Sequence, residues 1–248
     1  MQFRERYDIV KLLGRGTYAS VFLVRDRHLN KQWAAKIFDT SKLEEIHRKL
    51  IENEIEILLK LHSLQMPRVI DLYRENHQIC IVMDYMMGDS LKQHVQQFGP
   101  IKEQRALLWM EEMCELLEQL HTMEPSVIYC DLKPENIILT KNRQLALVDF
   151  GSARRLGDQL SLTGSRGYTA PELYAVATLS LSADVYSIGA VGAFLVTGLH
   201  PERFHQLKGD FSKPFVQVID RCLSPCQNRI KNCEQLKKEI RIGRGKCI

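Results

Sequence analysis

No stretch of this 248-residue chain approaches the roughly 18 consecutive apolar residues that a membrane-spanning helix needs. The opening Met1-Gln2-Phe3-Arg4-Glu5-Arg6 has no apolar core of the kind a signal peptide carries. Both absences point to the cytoplasm, or to the cytosolic part of a longer, membrane-anchored protein, with no membrane segment in this chain. Internal repeats and low-complexity tracts are missing too, which excludes solenoids and biased linkers. The seven cysteines (Cys80, Cys114, Cys130, Cys222, Cys226, Cys233, Cys247) are odd in number and scattered, so a disulfide framework is not expected. Cys222, Cys226 and Cys233 contain no C-x₂-C pair, and they read as helix-packing thiols rather than as a zinc site. The charge excess is only +4, which suits an anionic nucleotide but not a nucleic acid, and no nucleic-acid partner is expected.

What is present is a chain of 45% hydrophobic and 26% charged residues, enough for one large core or two packed lobes. From Tyr7 to Phe38, short apolar stretches broken by Gly14, Gly16 and Asn30 predict three antiparallel strands. Leu50, Glu54, Leu58 and Leu61 then recur at helical spacing, which sets a carboxylate in the middle of an apolar face. Two further strands are expected near 69–73 and 79–83. Beyond Gly88 the pattern turns helical: Leu107, Met110, Cys114, Leu117 and Leu120 form a stripe, and the nearly all-apolar run from Ala183 to Val196 predicts a buried helix.

The chemistry is concentrated in two short motifs, Asp131-Leu132-Lys133-Pro134-Glu135-Asn136 and Asp149-Phe150-Gly151. Phosphoryl transfer needs a carboxylate to take the hydroxyl proton, a cation near the moving phosphate and oxygen ligands for Mg²⁺, and these motifs contain one of each kind. Upstream lie Gly14-Arg15-Gly16-Thr17-Tyr18-Ala19-Ser20-Val21, whose small residues let backbone approach a phosphate, and Trp33-Ala34-Ala35-Lys36. An inward Glu54 is costly unless paired, and Lys36 is its natural partner, whereas Glu56 falls off the apolar face.

In type, order and spacing these motifs resemble the catalytic domain of eukaryotic-like (Hanks-type) serine/threonine protein kinases, most like the bacterial branch. The resemblance covers residues 7 to about 240 and implies an α+β bilobal fold. A small five-stranded antiparallel β lobe with one helix (about 1–83) is joined by a hinge (about 84–89) to a larger, mainly helical lobe (about 90–240). Residues 241–248 would form a basic C-terminal tail or the start of a linker. The implied activity is ATP- and Mg²⁺-dependent transfer of the γ-phosphate to serine and threonine hydroxyls of proteins, including autophosphorylation, with Mn²⁺ as an alternative ion. Asp131 would be the base, Lys133 the cation, Asn136 and Asp149 the metal ligands, and Lys36 with Glu54 the phosphate-holding pair. Gly14 and Gly16 would cover the phosphates. Met83 would be the gatekeeper, Asp84 and Met86 would hold adenine through their backbone, and Val21, Ala34 and Ile138 would sandwich its ring.

The resemblance extends to Ala170-Pro171-Glu172, to the Asp184 to Gly189 segment whose aspartate braces the catalytic loop, and to Arg229 as the partner of Glu172. Two positions depart from it. Ala19 replaces the third glycine, and Tyr129-Cys130 replaces His-Arg before Asp131, which removes the usual grip on a phosphate at Ser161 or Thr163. Both departures raise the alternative of a pseudokinase acting as a nucleotide-binding scaffold, although neither deletes a reacting group. A small-molecule phosphotransferase is disfavoured by Lys133, by Ala170-Pro171-Glu172 and by Arg229. The oligomeric state and the physiological substrate are not legible.

Overall fold

The computed structural model describes residues 2–41, 43–158, 164–174 and 179–245. The chain divides into two compact units, Met1–Met87 and Gly88–Ile248, so the division falls inside the expected hinge.

The first unit opens with a four-residue helix α1 (Phe3–Arg6), followed by strands β1 (Tyr7–Arg15), β2 (Ala19–Asp26) and β3 (Gln32–Asp39), helix α2 (Glu45–Leu59), and strands β4 (Val69–Glu75) and β5 (Gln78–Asp84). The five strands form one antiparallel sheet in the order β1-β2-β3-β5-β4. Alternation sends Val24, Trp33, Ala35, Cys80 and Val82 to one face, where they pack with Phe3 and Tyr7. The unit therefore has two helices rather than the one expected. The first is too short to show periodicity, and it forms because the apolar face of the sheet needs Phe3 as a lid. Arg6 pins it, reaching Asp26 at 3.0 Å and Asp71 at 2.8 Å.

Helix α2 buries Ile51, Glu54, Ile55, Ile57 and Leu58. The expected stripe was displaced by one residue at its start: Leu50 is only half-buried, and Leu61 is buried beyond the helix end. Leu50 has Ile51 beside it, and the 3.6-residue period alone did not choose between the two.

The second unit contains β6 (Gly88–Ser90), α3 (Leu91–Phe98), α4 (Glu103–His121), β7 (Val127–Ile128), β8 (Ile137–Thr140), β9 (Leu145–Leu147), β10 (Arg154–Arg155), α5 (Ser182–Thr197), α6 (Phe204–Leu207), α7 (Lys213–Leu223) and α8 (Cys233–Gly245). Ser90 caps α3 by accepting the amide of Gln93, whose side chain in turn accepts the Ser90 amide. The α4 stripe of Leu107, Met110, Cys114, Leu117 and Leu120 is fully buried, and α5 is buried nearly all round, as its unbroken apolarity requires. Glycine sets how closely α5 and α7 approach, because a Cβ on Gly189 would lie 2.3 Å from Cβ of Cys222.

Helix α8 runs past residue 240, where the sequence placed the end of the domain. Arg241 and Arg244 are helical and pair with Glu111 of α4 at 2.6 and 2.9 Å. Tertiary partners, invisible in a local window, convert a basic run into a docked helix end. Residues 246–248, with Cys247, lie outside the described residues. Among the described residues no single helix is long and apolar enough to cross a membrane.

Gly189→Ala is expected to cost about 1–3 kcal/mol through overpacking against Cys222. Gly14→Ala, where an added Cβ meets nothing within 4 Å, should leave stability unchanged. Urea unfolding followed by circular dichroism measures both.

Candidate functional site

In the first unit, sheet register decides what shares a face. Val21 pairs with Lys36, Lys36 with Ile81, and Ala34 with Met83, so Val21, Ala34, Lys36 and Met83 project on the side opposite the Trp33 core. Lys36 and Glu54 are both buried, and Nζ donates to Oε1 at 2.6 Å. A carboxylate at that depth is tolerable only because the ammonium meets it, and removal of either partner strands the other. Asp84 is bound by Arg68 at 2.8 Å, and its amide donates to the Arg68 carbonyl at 3.0 Å.

In the second unit, two pieces of short antiparallel pairing frame the motifs. The register Arg154↔Ile128 ties β10 to β7, and Ile137↔Leu147 ties β8 to β9. Residues 129–136 and 148–153 are therefore held as connections between paired strands. The strand β6, not anticipated from sequence because it is only three residues long, adds a third strand beside β8.

Asp131 is 8% exposed and is enclosed by its own loop. Lys133 Nζ donates to its Oδ2 at 2.7 Å and to Ser165 Oγ at 2.9 Å, while Ser165 Oγ donates to Oδ1 at 2.8 Å. Asn136 Nδ2 donates to the Asp131 carbonyl at 3.0 Å. With Nδ2 so committed, the amide oxygen of Asn136 is the atom it can turn to a cation. Asp149 is an exposed carboxylate in the left-handed region (φ 64°), where Oδ1 accepts the Gly151 amide at 3.3 Å. Cys130 shares that conformation (φ 65°), which costs on the order of 1 kcal/mol for a non-glycine residue and persists only where surrounding bonds enforce it.

The enforcing group is Asp184, which is fully buried. Its Oδ2 accepts the Tyr129 amide and its Oδ1 the Cys130 amide, both at 2.9 Å. His121 Nε2 binds the same carboxylate at 2.8 Å. Burial works against a charged imidazole, but Asp184 and the neighbouring Cys233 outweigh it and raise His121 to about 10. The sequence reading found Asp184 but not His121. Its only sequence mark is its place where the α4 stripe ends, just before the loop leading to Asp131.

Tyr129 meets Phe150 edge to face at 5.3 Å, and its hydroxyl donates to the Val148 carbonyl. Arg154 is buried and donates to the carbonyls of Gly151 and Ala153 at 3.1 and 2.8 Å. Arg166 is exposed and lies 3.5 Å from Glu202. Ser161 and Thr163 lie outside the described residues.

A family model described as protein kinase domain matches residues 7–242. The chain belongs to the protein kinase family. It is 28% identical over 199 residues to a probable serine/threonine-protein kinase of Dictyostelium discoideum, covering 79% of this chain and 40% of that one. It is 30% identical over 201 residues to smooth-muscle myosin light chain kinase of Gallus gallus, with 79% of this chain and 10% of that one covered. Similarity to cAMP-dependent protein kinase catalytic subunit 3 of Drosophila melanogaster is 29% over 214 residues, covering 84% of this chain and 36% of the other. The kinase domain thus spans well under half the length of these three relatives.

The kinase domain also carries the expected pair of Arg229 and Glu172. The guanidinium is almost wholly buried, binds both carboxylate oxygens and donates to the carbonyls of Ser182 (3.1 Å) and Ser224 (3.0 Å). Burial opposes the Glu172 charge, but Arg229 outweighs it and holds the carboxyl below its ordinary value of 4.5. The pair's contribution is therefore complete above about pH 4.5 and is lost as pH falls through the lower, folded value. Arg229→Ala should cost about 3–5 kcal/mol at neutral pH by stranding Glu172. Glu172→Gln should flatten the acid limb of the stability profile, measured by urea unfolding between pH 3 and 7 (about the range over which carboxylates titrate).

Proposed function

We propose that this kinase domain transfers the γ-phosphate of ATP to serine and threonine hydroxyls of proteins. The observation that carries the proposal is the closed network of Asp131, Lys133, Ser165 and Asn136. It holds a carboxylate in place and sets an ammonium beside it. Asp131 orients an incoming hydroxyl and takes its proton, exchanging the bond it makes with Ser165 for one to the substrate. Lys133 holds that carboxylate at hydrogen-bond distance and offers its charge to the moving phosphoryl group. Lys133 and Ser165 together resemble the serine/threonine pattern, which favours those hydroxyls over tyrosine.

Asn136 and Asp149 provide hard oxygen donors, the type Mg²⁺ prefers, and Mn²⁺ accepts the same set. Bound ATP supplies the transferable phosphoryl group, and the metal neutralises its charge. On the first unit, the buried Lys36, held by Glu54, is pre-positioned for the α- and β-phosphates. Gly14 supports this reading, since nothing inside the protein demands a glycine there. Backbone that must admit a phosphate does demand one. Val21, Ala34 and Met83 share the Lys36 face and are the apolar residues of the first unit proposed to meet adenine. The Asp84 amide is spent on Arg68, so Asp84 would meet adenine through its carbonyl, and Met86 through its amide. Ala19 and Cys130 remove no reacting group. The proposed location is the cytoplasm or the cytosolic side of a larger protein.

Incubation with radiolabelled ATP, Mg²⁺ and a generic basic protein tests the activity. Asp131→Asn and Lys36→Met should each lose ~10²-fold or more in turnover, with nucleotide affinity retained in Asp131→Asn. Parental turnover in Asp131→Asn would refute the assignment. In thermal-shift titrations, Asp149→Ala should lose the Mg²⁺-dependent ATP stabilisation more fully than Asn136→Ala, because Asp149 brings a full charge.

Regulation follows from Cys130 and Arg154. With no catalytic-loop arginine, and with Arg154 committed to backbone carbonyls, phosphate on Ser161 or Thr163 lacks its usual partner. The double variant Ser161→Ala/Thr163→Ala and phosphatase-treated protein should both match the untreated parent in one kinase assay. A loss of about tenfold or more in both would show that another cation serves the phosphate.

A further inference from the structure

Ser165 donates its hydroxyl to Asp131 Oδ1, the bond that an incoming substrate hydroxyl takes over. A protein substrate that delivers its hydroxyl there lays the residue beside the acceptor along Arg166, Gly167 and Tyr168. Whatever holds these three residues in place therefore shapes how that substrate binds. The holding group comes from beyond the end of α5.

Helix α5 stops at Gly198, whose amide donates to the Phe194 carbonyl at 2.7 Å. The Leu199 amide donates to Thr197 Oγ1 at 3.1 Å, Pro201 is buried, and the Arg203 amide donates to the His200 carbonyl at 2.9 Å. His200 is thus fixed at its backbone from both sides. Its imidazole touches three consecutive residues of the Ser165 segment. Nε2 lies 3.0 Å from the Arg166 carbonyl, and because a carbonyl only accepts, Nε2 carries the proton. The ring lies so close on Gly167 that an added Cβ would fall 2.3 Å from Cε1, and Gly167 has φ 83°, a conformation suited to glycine. Tyr168 meets the ring edge-on at 6.0 Å and is backed by Phe194 at 6.5 Å.

We propose that His200 is a positioning residue for the protein substrate: its imidazole clamps the backbone of Arg166 and Gly167 and keeps ready the surface on which the residue beside the acceptor lies. The segment is tied at its start by Lys133 and Asp131 through Ser165, and further on by Arg229 through Glu172. Between these ties the amides of Tyr168 and Thr169 both return to the Ser165 carbonyl at 3.0 Å, a turn that His200 braces from outside. A segment without the brace would have to be ordered by the substrate itself, which weakens binding. Asp131 is held by Lys133 and Asn136 without His200, so the chemical step is spared. Glu202 lies 3.8 Å from His200 Nδ1 and 3.5 Å from Arg166 Nε, but these are exposed and loose contacts that add little.

The inference rests on the reading of Asp131 and its neighbours as the phosphoryl-transfer site, so Asp131→Asn is assayed beside the His200 variants. In His200→Ala, KM for the generic basic protein should rise about fivefold, with kcat and KM for ATP within about twofold of the parent. Hydrogen exchange at the Tyr168 and Thr169 amides, followed by NMR, should quicken by about the same fivefold. His200→Gln, whose side-chain amide can donate to the Arg166 carbonyl, should restore both.

The proposal is overturned if KM for the protein substrate stays parental in His200→Ala, if KM for ATP rises with it, or if glutamine fails to restore both readings. Unchanged exchange at the two amides overturns it as well. Parental turnover in Asp131→Asn would remove the site reading and with it the substrate role of His200; the two failures are told apart because amide exchange does not depend on turnover.

Discussion

The second unit depends on one buried carboxylate. Asp184 sits on a helix whose sides are all packed, so it cannot move without disturbing the core, and both of its oxygens are bonded to groups on the segment that ends in Asp131. A carboxylate at zero exposure is tolerable only when donors meet both of its oxygens, and here two amides and an imidazole do so. The cost of burying that charge thus becomes a positional constraint. The loop must present those amides, which holds Cys130 in a left-handed conformation.

The same logic recurs at two further ion pairs among the described residues. Glu54 and Lys36 fix a helix to a strand within the first unit, and Glu172 and Arg229 fix the end of the segment after Ser165 to the base of α5. In each case a charged group is held at a depth where it would be prohibitive alone, and the partner comes from an element distant in sequence. Such pairs add little net stability over apolar packing, but they exclude alternative registers, because any slip leaves a bare charge inside the protein. The exposed pairs, such as Arg27 with Asp8 or Lys238 with Glu234, carry no comparable constraint.

Much of the fold was legible because its periodicities are clean. The alternation of β2, β3 and β5, the α4 stripe and the unbroken apolarity of α5 each match one structural period, and the predicted elements lie where they were expected. The readings that shifted did so where the local signal was short or degenerate. Three residues of β6 and four of α1 carry no period at all. The Leu50-Ile51 and Leu58-Leu59 doublets blurred which residues of α2 face inward. The C-terminal basic run read as a tail or the start of a linker because its acidic partner, Glu111, lies 130 residues upstream of Arg241.

The sequence by itself determined the identity and order of the candidate reacting groups: Lys36, Asp131, Lys133, Asn136 and Asp149 stand out by residue type and spacing, because phosphoryl transfer accepts few substitutes for a base, a cation and oxygen ligands. Only the tertiary structure decided how those groups are held. That His121 shares Asp184 with the amides of Tyr129 and Cys130, and that Arg241 of the last helix meets Glu111 of α4, are facts of long-range packing. Hydrogen bonds and buried charges are satisfied by whatever the fold brings near, and nothing in a linear spacing encodes which distant group that will be.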